Sequence, residues 1–139
     1  MRTLGIDFGD ARVGIAVCDE AETVSTAVCT LNVRGIEDAA AQSVKKAEEL
    51  KCERIVIGMP RNMDGSYSFR AERTERFAEL VKGLIDLPIE FYDERLSTVA
   101  AHGYLNFSGV GGKKRKKVVD ALSAQIILQD YIDSQKNKR

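Results

Sequence analysis

Two neighbouring segments near the start of the chain alternate between bulky apolar residues and small or polar ones. This period of two predicts β-strands over 3–8 and 12–18, and Gly9-Asp10 between them predicts a hairpin turn. The hairpin has two unequal faces. One face carries the bulky side chains, whereas the other carries small residues around a single carboxylate, that of Asp7. The bulky face has to be buried, so the hairpin belongs in a sheet covered by other elements.

The later segments predict strands and helices that complete this sheet. Strands are predicted over 23–33, 54–58 and 89–92, and helices from 35, after 67, from 96 and over 116–134. The apolar face of the second helix is predicted to contain Phe77, Leu80, Val81 and Leu84. The order of elements predicts an α/β fold with a five-stranded mixed sheet and helices on both faces. Three strands form an antiparallel meander and two are added in parallel.

Length and composition limit the kinds of protein that fit this pattern. A chain of 139 residues is expected to form one domain over 1–139 and is too short for two lobes around a cleft. Asp7 interrupts the region where a signal peptide would need an apolar run, and we find no segment apolar enough for a membrane span. We therefore expect a cytoplasmic protein with no membrane partner. Cys18, Cys29 and Cys52 form no C-x-x-C pair, which favours reduced, buried thiols.

A net charge of zero conceals a strong asymmetry along the chain. Residues 113–139 hold eight Lys or Arg and three Asp, and the rest of the chain carries the compensating negative charge. The basic residues concentrate in one run: Lys113, Lys114, Arg115, Lys116 and Lys117. Such a run is either a solvated surface or a contact with a polyanion.

Three acidic residues occupy positions where a carboxylate is unfavourable unless it has a functional role. Asp7 ends the first strand, Glu94 follows the strand over 89–92, and Asp120 heads an apolar helical stripe. Each also has a simpler explanation: an exposed strand residue for Asp7, a partner of Arg95 or a helix-entry acid for Glu94, and a helix N-cap for Asp120.

If both strand ends lie at one edge of the sheet and the last helix crosses it, the three acids meet. Clustered carboxylates repel each other, and a divalent cation removes that conflict. Oxygen ligands alone favour Mg²⁺ or Mn²⁺, and a pair of such ions is a common device for phosphodiester hydrolysis. Gly5 and Gly14 are expected to leave room for ions and substrate.

Four segments in order, over 5–19, 55–66, 91–98 and 116–133, resemble the YqgF (RuvX) family. The resemblance covers nearly the whole chain. It implies a ribonuclease H-like fold and a divalent-metal nuclease that processes pre-16S rRNA or resolves Holliday junctions. Carried over by motif, it implies catalytic and metal-binding roles for Asp7, Glu94 and Asp120. The chain departs from the family pattern at Arg61 and at Ser68-Phe69, which bears on the shape of the central loop and on substrate choice.

Nucleic-acid contacts are expected from basic and polar residues around the three acids. The candidates are Arg12, Arg61, Asn62, Arg95 and the run over 113–117, because phosphate affinity comes mainly from Lys and Arg. In contrast, Arg70, Arg73 and Arg76 alternate with glutamates, which favours a salt-bridged solvent face. Few aromatic residues are placed to stack on bases, so we expect recognition of backbone and shape.

The resulting hypotheses differ in substrate and in mechanism. The favoured one is a nuclease that acts on structured RNA at the 5′ end of precursor 16S rRNA, within ribosomal precursor particles. A resolvase of branched DNA would use the same site, and a monomer rather than a weak homodimer would favour RNA processing. A non-catalytic nucleic-acid scaffold is a further alternative. An ATP-dependent phosphotransferase, suggested by Asp7-Phe8-Gly9, would need a second lobe.

Overall fold

The computed structural model describes residues 1–60, 68–93 and 112–137, with side chains from 120 to 136 in the last range. Eight elements are described: β1 (Thr3–Phe8), β2 (Arg12–Cys18), β3 (Ser25–Asn32), α1 (Ile36–Glu49), β4 (Arg54–Met59), α2 (Phe69–Leu84), β5 (Ile89–Asp93) and α3 (Gly112–Asn137). The predicted helix from 96 lies outside these ranges, as does most of the predicted loop over 59–67. The last helix begins at Gly112, four residues earlier than predicted.

The five strands form one mixed sheet in the order β3-β2-β1-β4-β5. The pairs β1–β2 and β2–β3 are antiparallel, whereas β1–β4 and β4–β5 are parallel. This is the predicted combination of an antiparallel meander with two parallel strands. Parallel pairing places the carboxyl ends of β1, β4 and β5 at the same edge of the sheet.

The bulky face of the β1–β2 hairpin packs under α1 and α2. Its side chains join those of both helices in one core cluster, where Phe8 stacks on Phe77 with ring centroids 4.5 Å apart. The inward positions of Phe77, Leu80 and Val81 are confirmed. The prediction for Leu84 is wrong: its side chain is 57% exposed at the last residue of α2, and the following Ile85 packs against the core instead.

The opposite face of the sheet is covered by α3. Ala16, Cys18 and Val56 form a second core cluster with the apolar stripe of that helix: Ala124, Ile127, Leu128, Tyr131 and Ile132. Helices therefore cover both faces, as predicted. Among the described residues, no helix has both the length and the apolar composition needed to cross a membrane.

Glycines on the small face set the distance between α3 and the sheet. A Cβ added at Gly5 would lie 2.8 Å from Cβ of Leu128, and one added at Gly14 would lie 1.9 Å from the carbonyl oxygen of Asp120. The expectation that these glycines leave room for ions and substrate is therefore wrong. The space is filled by the backbone and side chains of α3, which can approach the sheet closely only where Cβ atoms are missing.

Side chains at the far end of α3 hold the helix in register on the sheet. The Tyr131 hydroxyl donates to Glu90 of β5, and the Arg54 guanidinium lies 5.0 Å from the Tyr131 ring centroid. Arg54 also forms an ion pair with Glu22. Burial, with a contribution from the bond to Glu90, raises the pKa of Tyr131 to about 12. The hydroxyl therefore remains a donor at neutral pH.

A second set of hydrogen bonds ties α3 to the start of β3. The Ser25 backbone N–H donates to Gln129 Oε1 at 2.9 Å, and the Ser25 hydroxyl donates to the Gln125 carbonyl at 2.7 Å. The Gln129 amide donates in turn to the Thr23 carbonyl at 3.2 Å. Together with the Tyr131 contacts, these bonds fix where each residue of α3 lies above the strands.

The three cysteines are all free, but they are not equally buried. Cys18 and Cys52 are buried as predicted, whereas Cys29 lies on β3, the edge strand of the meander, and is only half-buried. Burial raises the pKa of the Cys29 thiol and raises that of Cys52 to about 11. Both thiols are therefore protonated at neutral pH and poor nucleophiles.

We predict that Gly14→Ala destabilises the protein, because the new methyl group cannot coexist with the Asp120 carbonyl oxygen. The expected loss is about 1–3 kcal/mol of unfolding free energy, measured by urea denaturation. Gly83→Ala is the matched control. No heavy atom lies within 4 Å of a Cβ added at Gly83, so alanine there is expected to raise stability by up to about 0.5–1 kcal/mol. Equal midpoints for Gly14→Ala and the unmodified protein would contradict the close contact.

Candidate active site

Asp7 lies on the face of the sheet that α3 covers. It is opposite Gly14 in the antiparallel pairing of β1 with β2, and residues paired in this way share a face. Residues two apart in a strand also share a face, which places Asp7 with Gly5. The Asp7 side chain is half-buried near the carboxyl end of β1. It is therefore not simply an exposed strand residue.

Asp120 lies well inside α3, eight residues after the helix begins at Gly112. The alternative of a helix N-cap is therefore wrong, because a cap residue precedes the first helical turn. Asp120 is in line with the stripe that packs on the sheet, and its carbonyl oxygen lies directly over Gly14. Its side chain keeps 20% exposure.

Gly14 thus brings two of the three predicted acids to the same place. Asp7 is its neighbour within the sheet, and Asp120 is its neighbour across the layer. The two aspartates are 113 residues apart in the sequence. Local sequence preference cannot bring them together, so their proximity is a consequence of how α3 packs.

The third predicted acid, Glu94, lies outside the described residues. It follows Asp93, the last residue of β5, which is paired with Met59 at the carboxyl end of β4. The end of β5 is therefore at the same sheet edge as the end of β1. Two strand spacings separate them, about 10 Å. The convergence of Glu94 with the two aspartates stays a prediction.

Within the described ranges, no group of three or more His, Cys, Asp and Glu could hold a metal ion. The described part of the candidate site contributes two carboxylates, Asp7 and Asp120. Both offer hard oxygen donors, which suit Mg²⁺ and Mn²⁺. This donor set fits the predicted metal as far as the described residues extend.

Arg12 forms an ion pair with Asp120. Its Nε donates to Asp120 Oδ2 at 2.7 Å, and its own side chain is 36% exposed. The sequence predicts that Arg12 binds phosphate and gives no sign of this pair. No local sequence pattern could have suggested the pair, because the two residues meet only when α3 lies across the start of β2.

A similar pair lies on the other side of the hairpin. Arg73 of α2 donates through Nε to Asp10 Oδ1 at 2.7 Å. Arg73 was predicted to pair with glutamates of its own helix, and its partner is instead the acid of the β1–β2 turn. The hairpin is therefore held by an arginine–aspartate pair on each of its faces.

The remaining predicted phosphate-binding residues are only partly described. Arg61, Asn62 and Arg95 lie outside the described residues. The run over 113–117 belongs to the first turns of α3, and its backbone ends three residues before Asp120. The sequence therefore brings five basic residues to the helix end nearest the aspartates.

A groove of about 510 Å³ lies away from this site, between α2 and β5. Glu75, Glu79 and Lys82 line one side, and Leu87 and Phe91 line the other. It opens on the α1–α2 face of the sheet, opposite the face that carries Asp7. We therefore do not include it in the candidate active site.

Comparison with protein families and curated proteins gives a consistent result. The family model described as "RuvX: Holliday junction resolvase" matches residues 1–134. A protein of Caldanaerobacter subterraneus subsp. tengcongensis, named "Putative pre-16S rRNA nuclease", is 39% identical over 143 residues, covering 99% of each chain. A protein of Desulforamulus reducens with the same name is 41% identical over 134 residues, covering 96% of this chain and 98% of that one.

Solved structures share the fold at low sequence identity. RuvC of Thermus thermophilus has a TM-score of 0.59 and 12% identity, over 99% of this chain and 97% of that one. The resolvase of Fowlpox virus, solved with Holliday junction DNA, has a TM-score of 0.60 and 9% identity, over 97% of this chain and 99% of that one. These likenesses show the ribonuclease H-like fold expected from the sequence.

We predict a measurable but small coupling between Arg12 and Asp120. A double-mutant cycle with Arg12→Gln and Asp120→Asn, measured by urea unfolding, is expected to give about 0.2–1 kcal/mol. The value is small because Arg12 is partly exposed, and it should decrease at high salt. Additive single-mutant effects at low salt would contradict a stabilising ion pair.

Proposed function

The chain belongs to the RuvX family, and we propose that it is a metal-dependent endonuclease that hydrolyses phosphodiester bonds of structured RNA. The substrate we propose is the 5′ end of precursor 16S rRNA, processed in the cytoplasm within ribosomal precursor particles. The observation that carries the proposal is the meeting of Asp7 and Asp120 at Gly14, beside a basic helix start. Two carboxylates brought to one place suit a cation, and a basic run that precedes one of them in the sequence suits a polyanion.

The proposed metal ligands are Asp7, Glu94 and Asp120, and the proposed ions are Mg²⁺ or Mn²⁺. The chemistry that two such ions supply when bound is activation of a water molecule and stabilisation of the leaving oxygen. Three carboxylates in one place repel each other, and bound cations would relieve that repulsion.

The chain itself contributes position and charge. Asp120 is fixed because it belongs to a helix whose apolar stripe is buried against the sheet. Asp7 is fixed because it belongs to a strand paired on both sides, with β2 and with β4. We propose that Arg12, Arg61, Asn62, Arg95 and the run over 113–117 contact the phosphate backbone.

Cleavage of branched DNA is the second candidate, and it is favoured by the description of the family model as a Holliday junction resolvase. We prefer RNA because the relatives named as pre-16S rRNA nucleases are 39–41% identical. The resolvases that share the fold are only 9–12% identical. A resolvase acts on two strands and so calls for a dimer, whereas a monomer or weak homodimer suffices for RNA processing.

A cleavage assay decides between these candidates. Purified protein is incubated with Mg²⁺ or Mn²⁺ and either precursor 16S RNA or a four-way DNA junction. We expect Asp7→Asn and Asp120→Asn each to reduce RNA cleavage more than about 100-fold, because loss of a metal ligand exceeds the usual effect of losing a supporting residue. Chelation of the metal should abolish cleavage.

Asp133→Asn is the matched control for Asp120→Asn. Asp133 is exposed on the same helix, about 20 Å further along its axis, so its replacement should leave cleavage unchanged. Cleavage that persists in Asp120→Asn, or that needs no divalent ion, would contradict the proposed enzyme. RNA binding without cleavage, and independent of Mg²⁺, would favour the non-catalytic scaffold.

A further inference from the structure

Arg12 contacts one oxygen of the Asp120 carboxylate, which the proposed function assigns to a metal ion. Its Nε lies 2.7 Å from Asp120 Oδ2, so an ion approaching that oxygen meets a positive charge already in contact with it. Arginine does not lose its proton in proteins, so the conflict cannot be relieved by deprotonation. The guanidinium has to share the carboxylate or leave it.

The surroundings of Arg12 allow it to leave. It is the first residue of β2, next to the hairpin turn, and its side chain is 36% exposed. An ion pair with this much exposure contributes little stability, so breaking it costs little. A released guanidinium at this site lies beside the acids, where it is suited to bind a phosphate group bidentately.

We propose that Arg12 is an exchangeable counter-cation. Without a divalent ion it neutralises Asp120, and when the ion binds it transfers from that carboxylate to a phosphate of the nucleic acid. The exchange links the two binding events, so each ligand strengthens the binding of the other. This inference rests on the proposed nuclease function, because it takes Asp120 as a metal ligand.

The first test is calorimetric titration of Mn²⁺ alone into the free protein. Arg12→Gln removes the competing charge, so Mn²⁺ affinity should rise about three- to tenfold. Arg12→Lys keeps a competing charge and should stay within about twofold of the unmodified protein. Arg12→Met serves as a second neutral variant, and a thermal melt of each variant establishes that it is folded.

Arg73→Gln is the matched control for Arg12→Gln. Arg73 makes the same kind of contact, Nε to an aspartate oxygen at 2.7 Å, and has similar exposure at 32%. Its partner Asp10 is not a proposed ligand. Arg73→Gln changes the net charge of the protein equally but should change Mn²⁺ affinity by less than about twofold.

The second test measures binding of a labelled precursor RNA fragment with and without Ca²⁺. Ca²⁺ takes the same oxygen ligands with looser geometry. Arg12→Gln should weaken RNA binding clearly in the presence of the ion and little in its absence, because without the ion Arg12 is held by Asp120. A residue that binds phosphate at all times would lose affinity equally under both conditions.

The outcomes separate this inference from the function on which it rests. The proposed function fails as well if the unmodified protein does not bind Mn²⁺, or if Asp120→Asn does not abolish that binding. If Mn²⁺ binds but the two neutral Arg12 variants bind it no better, the exchange is wrong and the nuclease proposal stands. An equal gain in Arg73→Gln would also overturn the exchange, because the effect would then be one of net charge.

Discussion

The close contact of α3 with the small face of the β1–β2 hairpin is the constraint on which the candidate site depends. Gly14 lets the helix backbone approach to a distance that a Cβ would prevent, and Gly5 does the same for the Leu128 side chain. Burial of the apolar stripe from Ala124 to Ile132 supplies the free energy that holds α3 on the sheet. The hydrogen bonds of Tyr131 and of the two glutamines of α3 fix the position of the helix along the strands. Asp120 and Asp7 come to share Gly14 as a neighbour because of this packing.

Two arginine–aspartate pairs of the same geometry balance charge around the hairpin, one on each face. Arg73 and Asp10 join the hairpin turn to α2, on the face opposite Asp7 and Asp120, the two candidate ligands that the structure describes. Arg12 and Asp120 join β2 to α3, on the face with the paired acids. There the partly exposed Arg12 supplies Asp120 with a positive charge that, as we propose, a bound cation replaces. Stability and function therefore place different demands on the same interaction.

The comparisons and the structure support different parts of the proposal. Identity near 40% over the whole chain shows the family, and likeness to resolvases at 9–12% identity shows the fold. Neither gives the role of a particular side chain in this protein. That role is argued from the pairing of Asp7 with Gly14, from the carbonyl of Asp120 over Gly14, and from the bond between Arg12 and Asp120.

The sequence by itself determined the strands, the inequality of the two hairpin faces and the combination of an antiparallel meander with two parallel strands, whereas the strand order came from the structure. Alternation over 3–8 and 12–18 is a local signal, and short connections leave few ways to arrange such elements. The sequence also singled out Asp7, by its place among small residues on one face of the hairpin, and Asp120, by its place at the head of an apolar helical stripe. It led to the wrong prediction that Gly5 and Gly14 leave room for ions and substrate. It also did not reveal that Arg12 bonds Asp120 or that Arg73 bonds Asp10. Those outcomes depend on how closely α3 and α2 approach the sheet. That distance is decided by side chains far apart in the chain, and only the packed structure brings them into contact.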